Sequence, residues 1–173
     1  QRKGWVMSDK IGKDASLRRL SIGLGTMLIQ GGWKIAVAES CTGGWISRVI
    51  TDIPGSSQWF DLGLVTYSNL AKEENLGIAK ALINNHGAVS EQVAIAMVTG
   101  VVAVAKADIG ISVTGIAGPD GGTPEKPIGT VCLGFLLPGG GVQVETNRFL
   151  GDRKKVRKEA VRRALSGIIL RLS

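Results

Sequence analysis

The chain has 173 residues, of which 44% are hydrophobic and 20% are charged. This composition excludes a disordered chain, and the length fits one domain. The longest apolar run, residues 93–105, is too short to span a bilayer, and no secretion signal is visible. Cys41 and Cys132 lie far apart and form no zinc-binding spacing. We therefore expect a reducing, cytoplasmic compartment and no membrane partner.

The net charge of +7 is concentrated at the C-terminal end of the chain. Residues 152–173 contain eight basic and two acidic side chains, and such a cluster is one signature of nucleic-acid binding. The same segment carries apolar residues at helical spacing and no aromatic residues between its charges. This pattern favours a helix that packs on the core and exposes its charges to water, so we do not expect nucleic acid as a partner.

Hydrophobic periodicity predicts alternating helices and strands along the chain. Residues 1–13 show no period and are predicted to be disordered or an artificial extension; residues 14–173 form one domain. In chain order we predict a helix over 14–30 capped by Asp14, a strand over 35–38, a helix to about 50, a strand over 59–67 and a helix over 69–75. After these we predict a helix from the cap Ser90 to 106, a strand over 109–113 and a Gly/Pro-rich loop over 114–129. The last predicted elements are strands over 130–137 and 142–150 and a basic C-terminal helix.

The last two predicted strands are joined by Pro138-Gly139-Gly140-Gly141, which indicates a hairpin and therefore antiparallel pairing. The earlier strands alternate with helices, which is typical of parallel pairing. We therefore predict a single three-layer α/β/α domain with a mixed β-sheet.

Two predicted strands run into polar, glycine-containing segments, where open α/β sheets bind ligands. The first segment is Glu39-Ser40-Cys41-Thr42-Gly43-Gly44, and the second is the loop from Gly115 to Gly122. Backbone N–H groups of Thr42, Gly43 and Gly44 are candidates for binding an anion. Neither segment matches the P-loop or the dinucleotide fingerprint. For each segment, a ligand-binding role and a simple tight turn are equally consistent with the sequence.

Ser40 lies between a strand and a helix, where a serine is either a nucleophile or an ordinary helix cap. The only histidine, His86, lies in a predicted surface turn, which gives little support to a Ser-His-Asp triad. Lys72 is a candidate base if burial lowers its pKa; otherwise it is a solvated lysine. Cys41 is either a rival nucleophile or a buried filler. One histidine and two distant cysteines supply no metal-ligand set.

Several blocks of the sequence, in this order, resemble the C-terminal domain of the competence/damage-inducible protein CinA. They are Glu39-Ser40-Cys41-Thr42-Gly43-Gly44, Tyr67-Ser68-Asn69 with Lys72, His86-Gly87-Ala88-Val89-Ser90, Thr114-Gly115-Ile116-Ala117-Gly118-Pro119-Asp120-Gly121-Gly122, Lys126-Pro127-Ile128-Gly129-Thr130-Val131, and Gly151-Asp152-Arg153.

The resemblance implies hydrolysis of the carboxamide of nicotinamide mononucleotide, giving nicotinic acid mononucleotide and ammonia, without metal or cofactor. It implies Ser40 as the nucleophile and Lys72 as the base, with Tyr67 in the same catalytic group. The substrate-binding residues that it implies are Glu39, Thr42, Gly43, Gly44, Asn69, Thr114, Gly115, Ala117, Gly118, Gly121, Gly122 and Arg153. The alternative is a non-catalytic nucleotide-binding or competence-linked partner domain. We also expect a symmetric dimer.

Overall fold

The computed structural model describes residues 16–173, so the predicted N-terminal segment 1–13 and Asp14 lie outside the described residues. The elements are α1 (Leu17–Gly31), β1 (Ile35–Glu39), α2 (Trp45–Thr51), a 3₁₀ turn (Ser56–Gln58), β2 (Phe60–Val65), α3 (Asn69–Leu76), α4 (Lys80–His86), α5 (Glu91–Ala105), β3 (Ile109–Gly115), β4 (Thr130–Leu136), β5 (Val142–Arg148) and α6 (Arg153–Leu172).

The five strands form one mixed sheet in the order β2-β1-β3-β4-β5. β1 pairs in parallel with both β2 and β3, whereas β4 pairs antiparallel with β3 and β5. The predicted hairpin and the mixed sheet are therefore confirmed. Because β1, β2 and β3 run in the same direction, their carboxyl ends meet at one edge of the sheet.

Helices cover both faces of this sheet, which confirms the three-layer fold. On one face, α1, α2 and α6 bury a large apolar cluster that includes Leu24, Ile50 and Ile168. On the other face, α3, α4 and α5 pack over the small side chains of Ala36 and Ala38. α6 buries an apolar stripe and leaves Lys154, Lys155 and Lys158 exposed, as the amphipathic pattern predicted.

Some element boundaries differ from the sequence-based prediction. The cap of α1 is Ser16, whose hydroxyl accepts from the N–H of Arg19, and not Asp14. α4 was not predicted, because a seven-residue helix is too short to show a clear helical period. The predicted cap of α5 is confirmed, since the Ser90 hydroxyl accepts from the N–H of Val93. Within residues 16–173, no helix combines the length and apolar character that crossing a membrane requires.

Candidate active site

A buried lysine and a serine meet at the edge where β1, β2 and β3 end. Nζ of Lys72 lies 3.1 Å from Oγ of Ser40, 2.7 Å from the carbonyl oxygen of Thr66 and 3.2 Å from that of Tyr67. Lys72 is 1% exposed and Ser40 is 8% exposed. The burial of the amine lowers the pKa of Lys72 below its ordinary value of 10.5. The pair is therefore close enough for direct proton transfer.

The chain around Lys72 explains how a lysine becomes buried here. The Ser68 hydroxyl caps α3 by accepting from the N–H of Ala71, so the helix begins immediately after β2. Lys72 then falls in the first turn of α3, beside the C-terminal end of β2. From this position its amine reaches the carbonyl groups of Thr66 and Tyr67, which belong to the segment between the strand and the helix.

Ser40 is held in a tight turn between β1 and α2. Its N–H donates to the carbonyl of Val113 in β3, and its own carbonyl accepts from the N–H of Gly43. Gly43 and Gly44 have φ values of 60° and 92°, a conformation that favours glycine. These two glycines therefore allow the chain to reverse from the strand into α2 within a few residues.

A cavity of about 270 Å³ opens over the Ser40–Lys72 pair. The sequence-predicted site residues that line it are Ser40, Tyr67, Lys72, Thr114, Gly115, Ala117, Gly118, Gly121 and Arg153. The carboxyl ends of three strands, the 115–121 loop and the start of α6 thus converge on one pocket.

Arg153, at the start of α6, joins two walls of this cavity. One terminal nitrogen donates to the carbonyl of Gly118 at 2.8 Å, and the other donates to the Tyr67 hydroxyl at 3.1 Å. Two other lining residues are also joined, because the Thr114 hydroxyl donates to the carbonyl of Ala88 at 2.8 Å. Arg153 and Lys72 are the two basic side chains in the cavity lining.

Six residues predicted to bind substrate do not line the cavity: Glu39, Thr42, Gly43, Gly44, Asn69 and Gly122. Glu39 is fully buried, and its carboxylate accepts from the backbone N–H groups of Ile46 and Ser47. The N–H groups at the start of α2 therefore bind the carboxylate of Glu39 as their anion. The N–H of Gly43 is also occupied, because it donates within the turn.

Asn69 and Gly122 occupy the surroundings of the pocket. Asn69 is the exposed first residue of α3. Gly122 packs so closely on the 127–128 segment that a Cβ there would lie 2.8 Å from the backbone nitrogen of Ile128. It therefore shapes the loop that carries the cavity wall.

The other residues that the sequence offered as catalytic groups are less suited to the chemistry. Burial raises the pKa of the Cys41 thiol to about 12, so the reactive thiolate is scarce at neutral pH. His86 is the exposed last residue of α4 and is not part of the cavity lining. Within residues 16–173, no group of three His, Cys, Asp or Glu side chains is arranged to hold a metal ion.

Sequence reasoning missed several residues around the pocket. Ala88 and Val89 line the cavity and lie inside a sequence block that carries the family resemblance. Ile116 and Asp120 also line it; they were not named singly, but they belong to the predicted ligand-binding loop from Gly115 to Gly122. Arg157 contacts the turn after Ser40, where its guanidinium donates to the carbonyls of Cys41 and Thr42. The position of Arg157, one helical turn after Arg153, was the sequence signal that could have placed it near the site, because residues four apart share a helix face.

The chain belongs to the CinA family: the model of the CinA C-terminal domain matches residues 18–172. Solved structures of this superfamily have the same fold. A competence or damage-inducible protein from Enterobacter asburiae gives a TM-score of 0.89 at 33% identity, with 92% of this chain and 100% of that chain covered.

The curated relatives include named enzymes. The chain is 53% identical over 144 residues to the nicotinamide-nucleotide amidohydrolase PncC of Enterobacter agglomerans, covering 83% of this chain and 88% of that protein. It is 47% identical over 152 residues to the protein of the same name from Escherichia coli K12, covering 88% and 92%. It is also 52% identical to a CinA-like protein of Chlorobaculum tepidum, which matches 84% of this chain over 36% of that longer protein.

Proposed function

We propose that this protein is a nicotinamide-nucleotide amidase, which hydrolyses the carboxamide of nicotinamide mononucleotide by a Ser-Lys mechanism without a metal. The observation that carries the mechanism is the 3.1 Å contact between the buried amine of Lys72 and the hydroxyl of Ser40. The names of the PncC relatives, which match most of the chain, support the substrate.

The surroundings of Lys72 suit a neutral amine. Such an amine has two N–H donors and one lone pair, and the carbonyls of Thr66 and Tyr67 are positioned to accept the two N–H groups. The lone pair then remains to accept the proton of Ser40. Burial favours this state because it lowers the pKa of the lysine.

The reaction proceeds in two stages. Lys72 takes the proton of Ser40 while Oγ attacks the amide carbon, and the resulting tetrahedral intermediate breaks its C–N bond. The leaving nitrogen receives the proton from Lys72 and departs as ammonia. In the second stage Lys72 deprotonates a water molecule, which attacks the ester carbon. The bond to Oγ then breaks, Lys72 returns the proton to Oγ of Ser40, and nicotinic acid mononucleotide is released.

The chemistry of the cavity fits the charges of this substrate. The Arg153 guanidinium, which lies at the cavity wall, is the proposed partner of the phosphate group. The Tyr67 side chain is 58% exposed and offers an aromatic surface to the cationic pyridinium ring. Thr114 and the 115–121 loop shape the remaining walls.

The first test measures ammonia release from nicotinamide mononucleotide in the presence of a metal chelator. We expect activity in the wild type and a loss of about 10³-fold or more in both Ser40→Ala and Lys72→Met. Cys41→Ala is the control and should retain activity, because the Cys41 thiol remains protonated. A wild type that binds the nucleotide without turnover would instead support the alternative, a non-catalytic nucleotide-binding domain.

We also propose that the protein works as a homodimer in the cytoplasm. Both cysteines are free thiols, which agrees with a reducing compartment. A groove of about 540 Å³ beside α5 is lined by nine residues, none of them charged. A second copy of the chain, related by a two-fold axis, would present the same uncharged surface and cover this groove.

A further inference from the structure

Two charged residues hold the turn that carries Ser40, although neither lines the cavity. Glu39 precedes the nucleophile in sequence, and Arg157 approaches from α6. We propose that Glu39 and Arg157 are positioning residues, which together fix the N–H of Cys41 as the oxyanion donor. This inference rests on the proposed function of Ser40 as a nucleophile.

The Glu39 carboxylate makes four hydrogen bonds in a fully buried position. One oxygen accepts from the Thr42 hydroxyl at 2.7 Å and the Ile46 N–H at 2.9 Å. The other accepts from the N–H and the hydroxyl of Ser47, at 2.9 and 2.8 Å. Glutamine cannot replace it without loss, because its amide nitrogen would face donors where an oxygen now accepts. Glu39 therefore binds both ends of the turn between β1 and α2.

Arg157 holds the carbonyl groups of the same turn. Its Nε donates to the Cys41 carbonyl at 3.0 Å, and a terminal nitrogen donates to the Thr42 carbonyl at 3.1 Å. The guanidinium also lies over the ring of Trp45, 5.5 Å from its centroid. Lysine lacks the planar fork of donors that this arrangement uses.

The remaining donors of the turn indicate which group faces the reaction. The N–H of Ser40 donates to Val113, and that of Gly43 donates to Ser40. Within residues 16–173, the N–H groups of Cys41, Thr42 and Gly44 donate to no other residue, and of these three residues only Cys41 lines the cavity. In serine hydrolases with a strand-turn-helix nucleophile, the N–H of the following residue commonly stabilises the oxyanion.

Such a role predicts an effect on the transition state alone. A donor displaced by a few tenths of an ångström still permits ground-state binding but stabilises the tetrahedral oxyanion less. We expect kcat of Glu39→Gln and Arg157→Lys to fall about 10-fold to 100-fold. KM should stay within about threefold of the wild-type value, because neither side chain lines the cavity.

The matched controls are Glu159→Gln and Arg162→Lys, which alter a glutamate–arginine pair on the same helix, α6, away from the turn. Nucleotide affinity is measured by calorimetry in a Ser40→Ala background, and circular dichroism confirms folding. Both control variants should behave as the wild type. Unchanged kcat in both Glu39→Gln and Arg157→Lys would overturn the inference, and so would a loss of nucleotide affinity that matches the loss of rate.

A second readout separates this inference from the identity of the substrate. Fluorophosphonate reagents label an activated serine and place a phosphoryl oxygen in the oxyanion site, so labelling does not require the natural amide. We expect Ser40 labelling to slow about 10-fold or more in Glu39→Gln and Arg157→Lys. If the wild type releases no ammonia but is labelled, and labelling slows in both variants, the proposed substrate is wrong and the positioning role stands. If the two variants are labelled at the wild-type rate, or the wild type is not labelled, the positioning role is wrong.

Discussion

At the scale of single residues, Lys72 is a basic side chain held in an almost fully buried position. Its amine is desolvated, yet carbonyl and hydroxyl oxygens surround it. The desolvation destabilises the ammonium form, so the burial that favours the proposed role of the lysine as a base also costs stability at neutral pH. Stability and activity are therefore opposed at this position.

This opposition predicts a pH-dependent difference in stability between the wild type and Lys72→Met. Between the lowered pKa of folded Lys72 and the ordinary value of 10.5, the unfolded chain binds a proton that the folded chain does not. The free energy of unfolding of the wild type should therefore rise relative to the variant as the pH increases through this window. Urea unfolding from pH 7 to pH 10 measures the difference, and a pH-independent difference would contradict a lowered pKa.

At the scale of elements, α6 is fixed to the edge of the sheet through Glu145 in β5. Burial alone would raise the pKa of this carboxyl group, but hydrogen bonds from Arg163, Asn147 and Arg171 outweigh it and lower the pKa to about 2. Arg163 donates to both carboxylate oxygens, at 2.6 and 2.7 Å. The contact holds the helix that also supplies Arg153 and Arg157.

Glu145→Gln should therefore destabilise the fold by about 1–2 kcal/mol at neutral pH, after allowance for solvent screening. Because the folded pKa lies below the ordinary value of 4.5, the stabilisation by Glu145 is complete above pH 4.5 and is lost as the pH falls towards 2. The difference between wild type and variant should vanish over that range in chemical unfolding. Glu159→Gln is the control, since its pair within one helix contributes only about 0.2–0.5 kcal/mol.

At the scale of the whole molecule, the two helical layers differ in their outer surfaces. α6 exposes lysines to water, whereas α5 has no charged residue between Glu91 and Lys106 and leaves Ile95 38% exposed. Exposed apolar surfaces that adjoin a concave groove are typical of protein interfaces. The proposed dimer would cover this surface with its own copy.

The dimer predicts a molar mass of about twice the chain mass of 18.1 kDa in light scattering. Ile95→Asp should shift the protein to the monomer, because it places a buried charge in the interface. Ile22→Asp is the control, since Ile22 is similarly exposed, at 42%, but lies on α1 across the sheet. A wild-type monomer at all concentrations, or equal effects of the two substitutions, would contradict the proposal.

The sequence by itself determined the layered fold and the positions of the reactive groups along the chain. Hydrophobic periodicity identified each strand of the sheet, and the hairpin turn set its mixed pairing. These features follow from local physical causes: side-chain alternation, helix caps such as Ser90, and glycine-rich turns. The short helix α4 and the true cap of α1 escaped this reasoning, because seven residues carry too little periodic signal and several polar residues precede α1.

Only the tertiary structure decided which of those groups lie in contact. Ser40 and Lys72 are 32 positions apart, and their contact depends on the parallel pairing of β1 with β2. The hydrogen bonds of the Glu39 carboxylate with the N–H groups of α2 likewise depend on the place of Glu39 at the end of β1. The spacing of Arg157 from Arg153 indicates a shared helix face, but only the packing of α6 against the turn brings Arg157 to the carbonyls of Cys41 and Thr42. Burial, and the pKa changes that follow from it, exists only when distant segments exclude water from one another.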